Sequence, residues 1–156
     1  MPRLAAAHSK KRRRWLLIPL ALVAVPPGLR LLGVEATNRA STSLGSADAS
    51  LRTRFYAPSP LDVRAQVLEA VGKLSTYGRA WRVVKGSLGE SGPSQVRCEV
   101  PILVFTDDLV VTIEPHEEGS RVDVSSASRV GKGDFGENAR HIRQLLGALD
   151  ARLPTA

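Results

Sequence analysis

The chain has 156 residues, enough for one domain and an appendage. Its formal charge of +7 and pI near 10.3 point toward nucleic acid only until the charge is located. Six cations (Arg3, Lys10, Lys11, Arg12, Arg13, Arg14) sit in the first 14 residues, and the other 142 hold 16 basic and 15 acidic side chains. The remainder is nearly neutral and the whole chain only 4% aromatic, so a basic, base-stacking surface is lacking and no nucleic-acid partner is expected.

The basic tail, residues 1–14, leads into fifteen residues without a charge, Trp15 to Leu29. Arg30 interrupts and the apolar run resumes, so Trp15 to Val34 makes twenty residues, enough to span a bilayer. An arginine near the outer end of a span can carry its head to the interface. Cations ahead of the run predict a single-pass membrane protein, with its N-terminus cytoplasmic and its domain extracytoplasmic. The same residues support a second reading: Val25-Pro26-Pro27-Gly28 breaks a helix where signal peptides break. Val34-Glu35-Ala36 is then a small-residue cleavage site, releasing a secreted chain cut near Ala36. Arg12-Arg13-Arg14-Trp15-Leu16 also loosely fits a twin-arginine signal, two arginines, one residue, then an apolar pair. Span length favours the retained anchor. Residues 35–54 are small and polar, and read as a linker to a domain at 55–153.

Ser59 with Pro60 at the next position starts a helix, and Leu61, Val67, Leu68, Val71 and Leu74 recur on one of its sides. Tyr77-Gly78 ends it. A short strand at Ala80–Gly86 and a loop to Pro93 follow. From Gln95 to Phe105 the residues Val96, Cys98, Val100, Ile102 and Val104 alternate, with Pro101 marking an edge or a bulge. Cys98 within this alternation reads as a buried, inert thiol, and as the lone cysteine it excludes an internal disulfide. Thr106-Asp107-Asp108 reads as a turn into a strand carrying Leu109, Val111 and Ile113. The segment Pro115 to Ser120 turns into a third strand ending at Ser128. Three strands joined by short turns form an antiparallel meander. A last helix from about Phe135 to Leu153 puts Ile142, Leu145, Leu146, Leu149 and Leu153 on one face. The order predicts an α+β fold: an antiparallel sheet of about four strands with two helices on one face, preceded by the N-terminal membrane segment.

Ser125 to Ile142 concentrates glycines, an arginine, an aspartate and an asparagine between strand and helix. Gly131-Lys132-Gly133-Asp134-Phe135-Gly136 spells G-x-G-x-x-G, but a dinucleotide fold needs a second parallel strand beyond the helix, and no such segment follows. Asp134 can cap the helix, with Glu137 reaching back. Capping leaves Arg129, Ser125, Ser126, Ser128 and Asn138 unexplained. An arginine beside glycine amides and a helix start can hold an anion, or can bind Asp134 or Asp107 within the fold, and buried polar groups usually find internal partners.

These residues carry a family resemblance. Phe105, Asp107 and Asp108, followed by Ser126, Ser128, Arg129, Gly131, Asp134, Gly136, Asn138 and Ile142, resemble the uncharacterised family catalogued as domain of unknown function 1499. The likeness covers about Phe55 to Leu153. It departs at Ser125 and His141, where the family usually has arginines, and it lacks the cysteine-containing segment that often opens the family's domain. It implies a small extracytoplasmic or membrane-attached domain and brings no established activity.

For a metal, Asp107, Asp108, Glu114, His116, Glu117 and Glu118 are the acidic and imidazole groups to weigh. Consecutive strand residues face opposite ways, however, so Asp107 and Asp108 should not share an ion, and no metal or cofactor is expected. His141, beside Ile142, reads as a surface or packing residue. The ligand-binding candidates are Arg129, Ser126, Ser128, Asp108, Asp134 and Asn138, without a catalytic assignment. Two functions stay open: a non-catalytic binding module touching a small anion, lipid or envelope protein, and a small hydrolase-like envelope enzyme using Asp107, Asp108 and Arg129.

Overall fold

The computed structural model describes residues 37–84, 93–117 and 119–156. The basic tail, the apolar run Trp15–Val34 and most of the loop before Pro93 lie outside the described residues. Among the described residues no helix is long and apolar enough to cross a membrane.

Among the described residues the sheet has six strands rather than about four. Strands β6 (Ser94–Ile102), β7 (Phe105–His116) and β8 (Gly119–Ser128) form the expected antiparallel meander. The short β5 (Arg82–Val83) extends it beyond β6, pairing with Cys98 and Glu99. At the other edge β8 is paired twice, by β1 (Arg39–Ser41) and then by β2 (Arg54–Tyr56). A separate hairpin, β3 (Ser75–Thr76) with β4 (Arg79–Ala80), lies between helix α1 (Pro60–Lys73) and β5, and helix α2 (Glu137–Asp150) ends the domain.

The linker reading of residues 35–54 does not hold from Arg39 onward. Arg39, Ala40 and Ser41 sit opposite Ala127, Ser126 and Ser125. A 3-10 turn at Ala49–Leu51 is capped by Asp48 and held to α2 where Arg143 meets Asp48 at 2.7 Å and Ser50 at 2.7 Å. This segment has few apolar side chains, but an open β8 edge offers backbone groups, and pairing satisfies them on both sides.

Along β6 to β8 the alternate residues Val96, Cys98, Val100, Leu109, Val111, Ile113, Val122 and Val124 are buried, and both helices cover that face. Cys98 is there, and burial pushes its thiol up to about 12, which leaves it protonated and inert. Pro101 is tolerated because β5 reaches only Cys98 and Glu99, which leaves β6 locally an edge at that point.

Helix α1 starts as expected, with the Ser59 hydroxyl accepting from the Asp62 amide at 3.3 Å. Its buried stripe is Val63, Val67, Ala70 and Val71; Leu61 instead is 73% exposed. The helix stops at Lys73, and Tyr77-Gly78 turns the β3–β4 hairpin. Helix α2 buries Ile142, Leu145, Leu146 and Leu149, each worth about 1.5–3 kcal/mol by burial, and adds Asn138 and His141 to the same stripe. It begins at Glu137 rather than Phe135, because Phe135 and Gly136 have left-handed φ of 51° and 86° and cannot join a right-handed helix.

The first turn of the meander falls earlier than the aspartates suggest. Ile102 pairs with Phe105, so Leu103-Val104 is the turn and Asp107-Asp108 lie within β7. Val104 is therefore at a tip, not on the buried face. At the other end of β7, a Cβ on Gly119 would stand 2.2 Å from the Tyr56 carbonyl oxygen, so only glycine lets β2 cross so close.

Candidate functional site

The residues singled out between Ser125 and Ile142 fall on two sides of the sheet. Strand alternation sends Ser126 inward from β8, and Asn138 comes down on it from the first turn of α2. The Asn138 carbonyl oxygen accepts from the Ser126 hydroxyl at 2.6 Å. Its amide nitrogen donates to the Asn38 carbonyl and to the Ser128 hydroxyl, both at 3.0 Å. Asp134 stands at the mouth of this cluster, accepting from the Gly136 amide at 3.1 Å and the Asn138 amide at 2.8 Å. It thus caps the helix from outside the first turn. Glu137 does not reach back as a capping-box partner; it pairs with Arg140 and accepts from the Tyr77 hydroxyl at 3.2 Å. Asn38 and Thr37 are drawn in as well. The Asn38 side chain donates to the Gly131 carbonyl at 3.2 Å, and the Asp134 amide donates to the Thr37 carbonyl at 3.2 Å.

Arg129 and Asp108 belong to the other, solvent-facing side. Glu99 of β6 sits directly opposite Asp108 of β7, a like-charge pair that would be unfavourable alone. Arg129, just past the end of β8, bridges them, with Nη2 2.6 Å from Asp108 and 2.8 Å from Glu99. Arg82 of β5 reaches Glu99 from beyond at 2.7 Å. The Asp108 and Glu99 side chains hold the Arg129 guanidinium above its usual range, and Arg129 holds Glu99 below its own. Arg129 thus binds an aspartate within the fold, but Asp108 rather than Asp134 or Asp107.

Asp107 faces the helices at 2% exposure. Next to it, fully buried, lies His141, whose Nδ1 is 3.7 Å from Asp107 Oδ2 and whose Nε2 is 3.6 Å from Glu137 Oε2. Neither distance is a hydrogen bond, and both ring nitrogens and Asp107 Oδ2 lack a partner among the described residues. Trp81 meets the imidazole edge-on at 5.8 Å, and its own indole N–H donates to Thr76 at 2.8 Å. Burial pushes the imidazole down to about 4, helped by Arg140 and opposed by Glu137 and Asp134. Burial also raises the Asp107 carboxyl, with Ser128 working against that and Asp134, Glu137 and Asp108 adding to it. Both groups are thereby biased toward their neutral forms.

The structure therefore brings Ser126, Ser128, Asp134 and Asn138 together, and sets Asp108 and Arg129 on the opposite face. The trio Asp107, Asp108 and Arg129 does not converge, because adjacent strand residues point opposite ways. No group of three His, Cys, Asp or Glu side chains is placed to hold a metal ion among the described residues. His141 and Trp81 complete the buried polar cluster without having been singled out as site residues. The signal for His141 was its spacing: with Asn138, Ile142, Leu145 and Leu149 it continues one helical stripe.

This arrangement is an α+β domain in which a meander, closed at one edge by the segment before it, carries two helices on one face. The chain matches the family described as "Protein of unknown function (DUF1499)" over residues 33–149, and it belongs to that family. That span takes in β1. Two solved structures are similar at low identity. Protein CV1439 from Chromobacterium violaceum is 12% identical with a TM-score of 0.42, covering 76% of this chain and 99% of its own. TTHA0849 from Thermus thermophilus is 13% identical with a TM-score of 0.30, covering 73% and 94%. No curated protein matches the chain.

Proposed function

We propose that the protein is a membrane-tethered extracytoplasmic domain that works as a non-catalytic binding or interaction module. The observation that carries the reading is the closure of the Asn138 cluster upon itself. Every polar atom of the Asn138 side chain is committed to Ser126, Ser128 or Asn38, and Asp134 to helix amides. Groups so occupied hold a fold together rather than wait for a substrate. The tether itself rests on the twenty-residue run Trp15–Val34 behind its cations.

The competing hydrolase-like reading would need Asp107, Asp108 and Arg129 at one reacting centre, and the fold separates them across the sheet. Cell fractionation with alkaline carbonate washing, followed by N-terminal sequencing and protease shaving from the extracytoplasmic side, tests the tether. An intact chain in the washed membrane, with 37–156 shaved from outside, is the expected result. A soluble chain beginning near Thr37 overturns it.

A further inference from the structure

One end of the domain is built of exposed apolar tips. Of the ten large hydrophobic residues most exposed among the described residues, six sit there: Tyr77, Leu103, Val104, Phe105, Val130 and Phe135. They come from three separate connections that the fold gathers. Leu103 to Phe105 form the β6–β7 turn and Val130 and Phe135 flank the β8–α2 loop, while Tyr77 is at the β3–β4 turn. Arg79 ties two of these connections together by donating to the Leu103 carbonyl at 2.6 Å, and Tyr77 reaches Glu137 at the start of α2.

The backbone at these tips is unusual for such residues. Among the described residues four non-glycine residues have left-handed φ, and three of them are Tyr77, Leu103 and Phe135. Turns ordinarily place glycine or asparagine there, and a bulky side chain in that region is strained. The domain thus holds large apolar groups outward at positions where small polar ones would be more stable.

Charge at this end is arranged to match. Asp108 is held by Arg129, Glu137 by Arg140, and Asp134 by backbone amides. Lys132, exposed between Val130 and Phe135, forms no ion pair among the described residues. An apolar tip with an adjacent cation suits the boundary between acyl chains and lipid phosphates.

Chain connectivity then names the occupant. Thr37 and Asn38, where the domain begins, are bonded to Asp134 and Gly131 of the same loop. Only Glu35 and Ala36 separate Thr37 from the apolar run ending at Val34. Two extended residues and their flanking bonds span about 10 Å. If the run crosses a bilayer, that reach keeps Thr37, and the loop residues bonded to it, close to where the run ends.

We propose that the Leu103–Phe105 turn and the Val130–Phe135 loop dip into the lipid bilayer that holds the tether, fixing the orientation of the domain on the membrane. The proposal rests on the tethered reading above, so its test must report on both. The full chain would carry Cys98→Ala and one labelling cysteine: Leu22→Cys in the apolar run, Val104→Cys or Val130→Cys at the tips, or Glu117→Cys at the far end of β7. Each labelled chain is placed in phosphatidylethanolamine–phosphatidylglycerol vesicles containing spin-labelled lipid. Quenching at positions 22, 104 and 130 with none at 117 is the expected pattern. Quenching at 22 alone overturns the surface contact and leaves the tether standing. An unquenched label at 22 overturns the tether and the contact with it. Shielding at 104 that depends on protein density and not on lipid label would assign the tips to a second copy, and also overturns the proposal.

Discussion

Asp107 packs at 2% exposure against the helices, whereas Asp108, one residue on, extends its carboxylate into solvent toward Arg129. The two faces of the sheet use the same motif under different physical rules. On the helix-covered face, polar groups have lost water and must be satisfied by one another, as Asn138 is, or pay for it, as His141 and Asp107 do. On the open face charges keep their water, and the Arg129 bridge chiefly relieves the repulsion between Glu99 and Asp108. A motif residue's side of the sheet therefore says more about its energetic weight than its place in the motif.

Asn138→Ala should break the covered face most severely. It leaves the Ser126 hydroxyl, the Asn38 carbonyl and a buried hole unmatched, at about 2–4 kcal/mol, or roughly 8–15 °C in Tm for a domain of this size. Calorimetry of the full chain in detergent reads it, and a shift as small as a surface mutation's would mean the cluster is not structural.

The next effect depends on pH. The unfolded chain protonates His141 near 6.5 and the folded one only near 4, so the unfolded state binds more protons between those values. Stability from this group is complete above 6.5 and is lost as pH falls to about 4, on the order of 3 kcal/mol in all. Denaturant titrations of His141→Phe, which keeps a ring against Trp81, should show a flatter acid limb than the parent. Parallel curves would contradict the burial argument.

Asp107 and Asp108 make a matched pair. The raised Asp107 carboxyl favours the fold when protonated, and that contribution disappears as pH rises through its folded value. Asp107→Asn should thus be neutral or stabilising at pH 8, by about 1 kcal/mol at most, and should lose any advantage in acid. Asp108→Asn should be slightly destabilising at pH 8, since it weakens the hold on Arg129. Equal effects from the two would erase the distinction between faces.

Smallest is Arg129→Ala. It exposes Glu99 to Asp108 without leaving a buried charge, so Tm should fall by less than about 4 °C, and the loss should shrink in 1 M salt. A larger, salt-independent fall would place Arg129 with the covered cluster after all.

The meander and both helices were legible because their buried faces recur at periods of 2 and 3.6 in Val, Leu and Ile. The strands β1 and β2 were not, since each has three residues and no apolar stripe; the backbone edge of β8 places both, and only β2 adds a core residue, Tyr56. The first turn was hidden because Leu103-Val104 lacks the glycine or asparagine that marks turns, while Thr106-Asp107-Asp108 mimics one. Of the site, Asp134 as cap and the opposed aspartates could be read directly. The division of the motif by the sheet needed the register, which no local pattern carries.

The pairing of β1 with β8 has a consequence for how the domain is made. Asn38 leaves the ribosome early, yet the side chain that locks it, Asn138, follows a hundred residues later. The edge from Ser125 to Ala127 that β1 covers lies almost as far along the chain, and closing so long a loop is a slow event in a folding chain. Until that loop closes the β8 edge is bare, and a bare edge can pair with other chains.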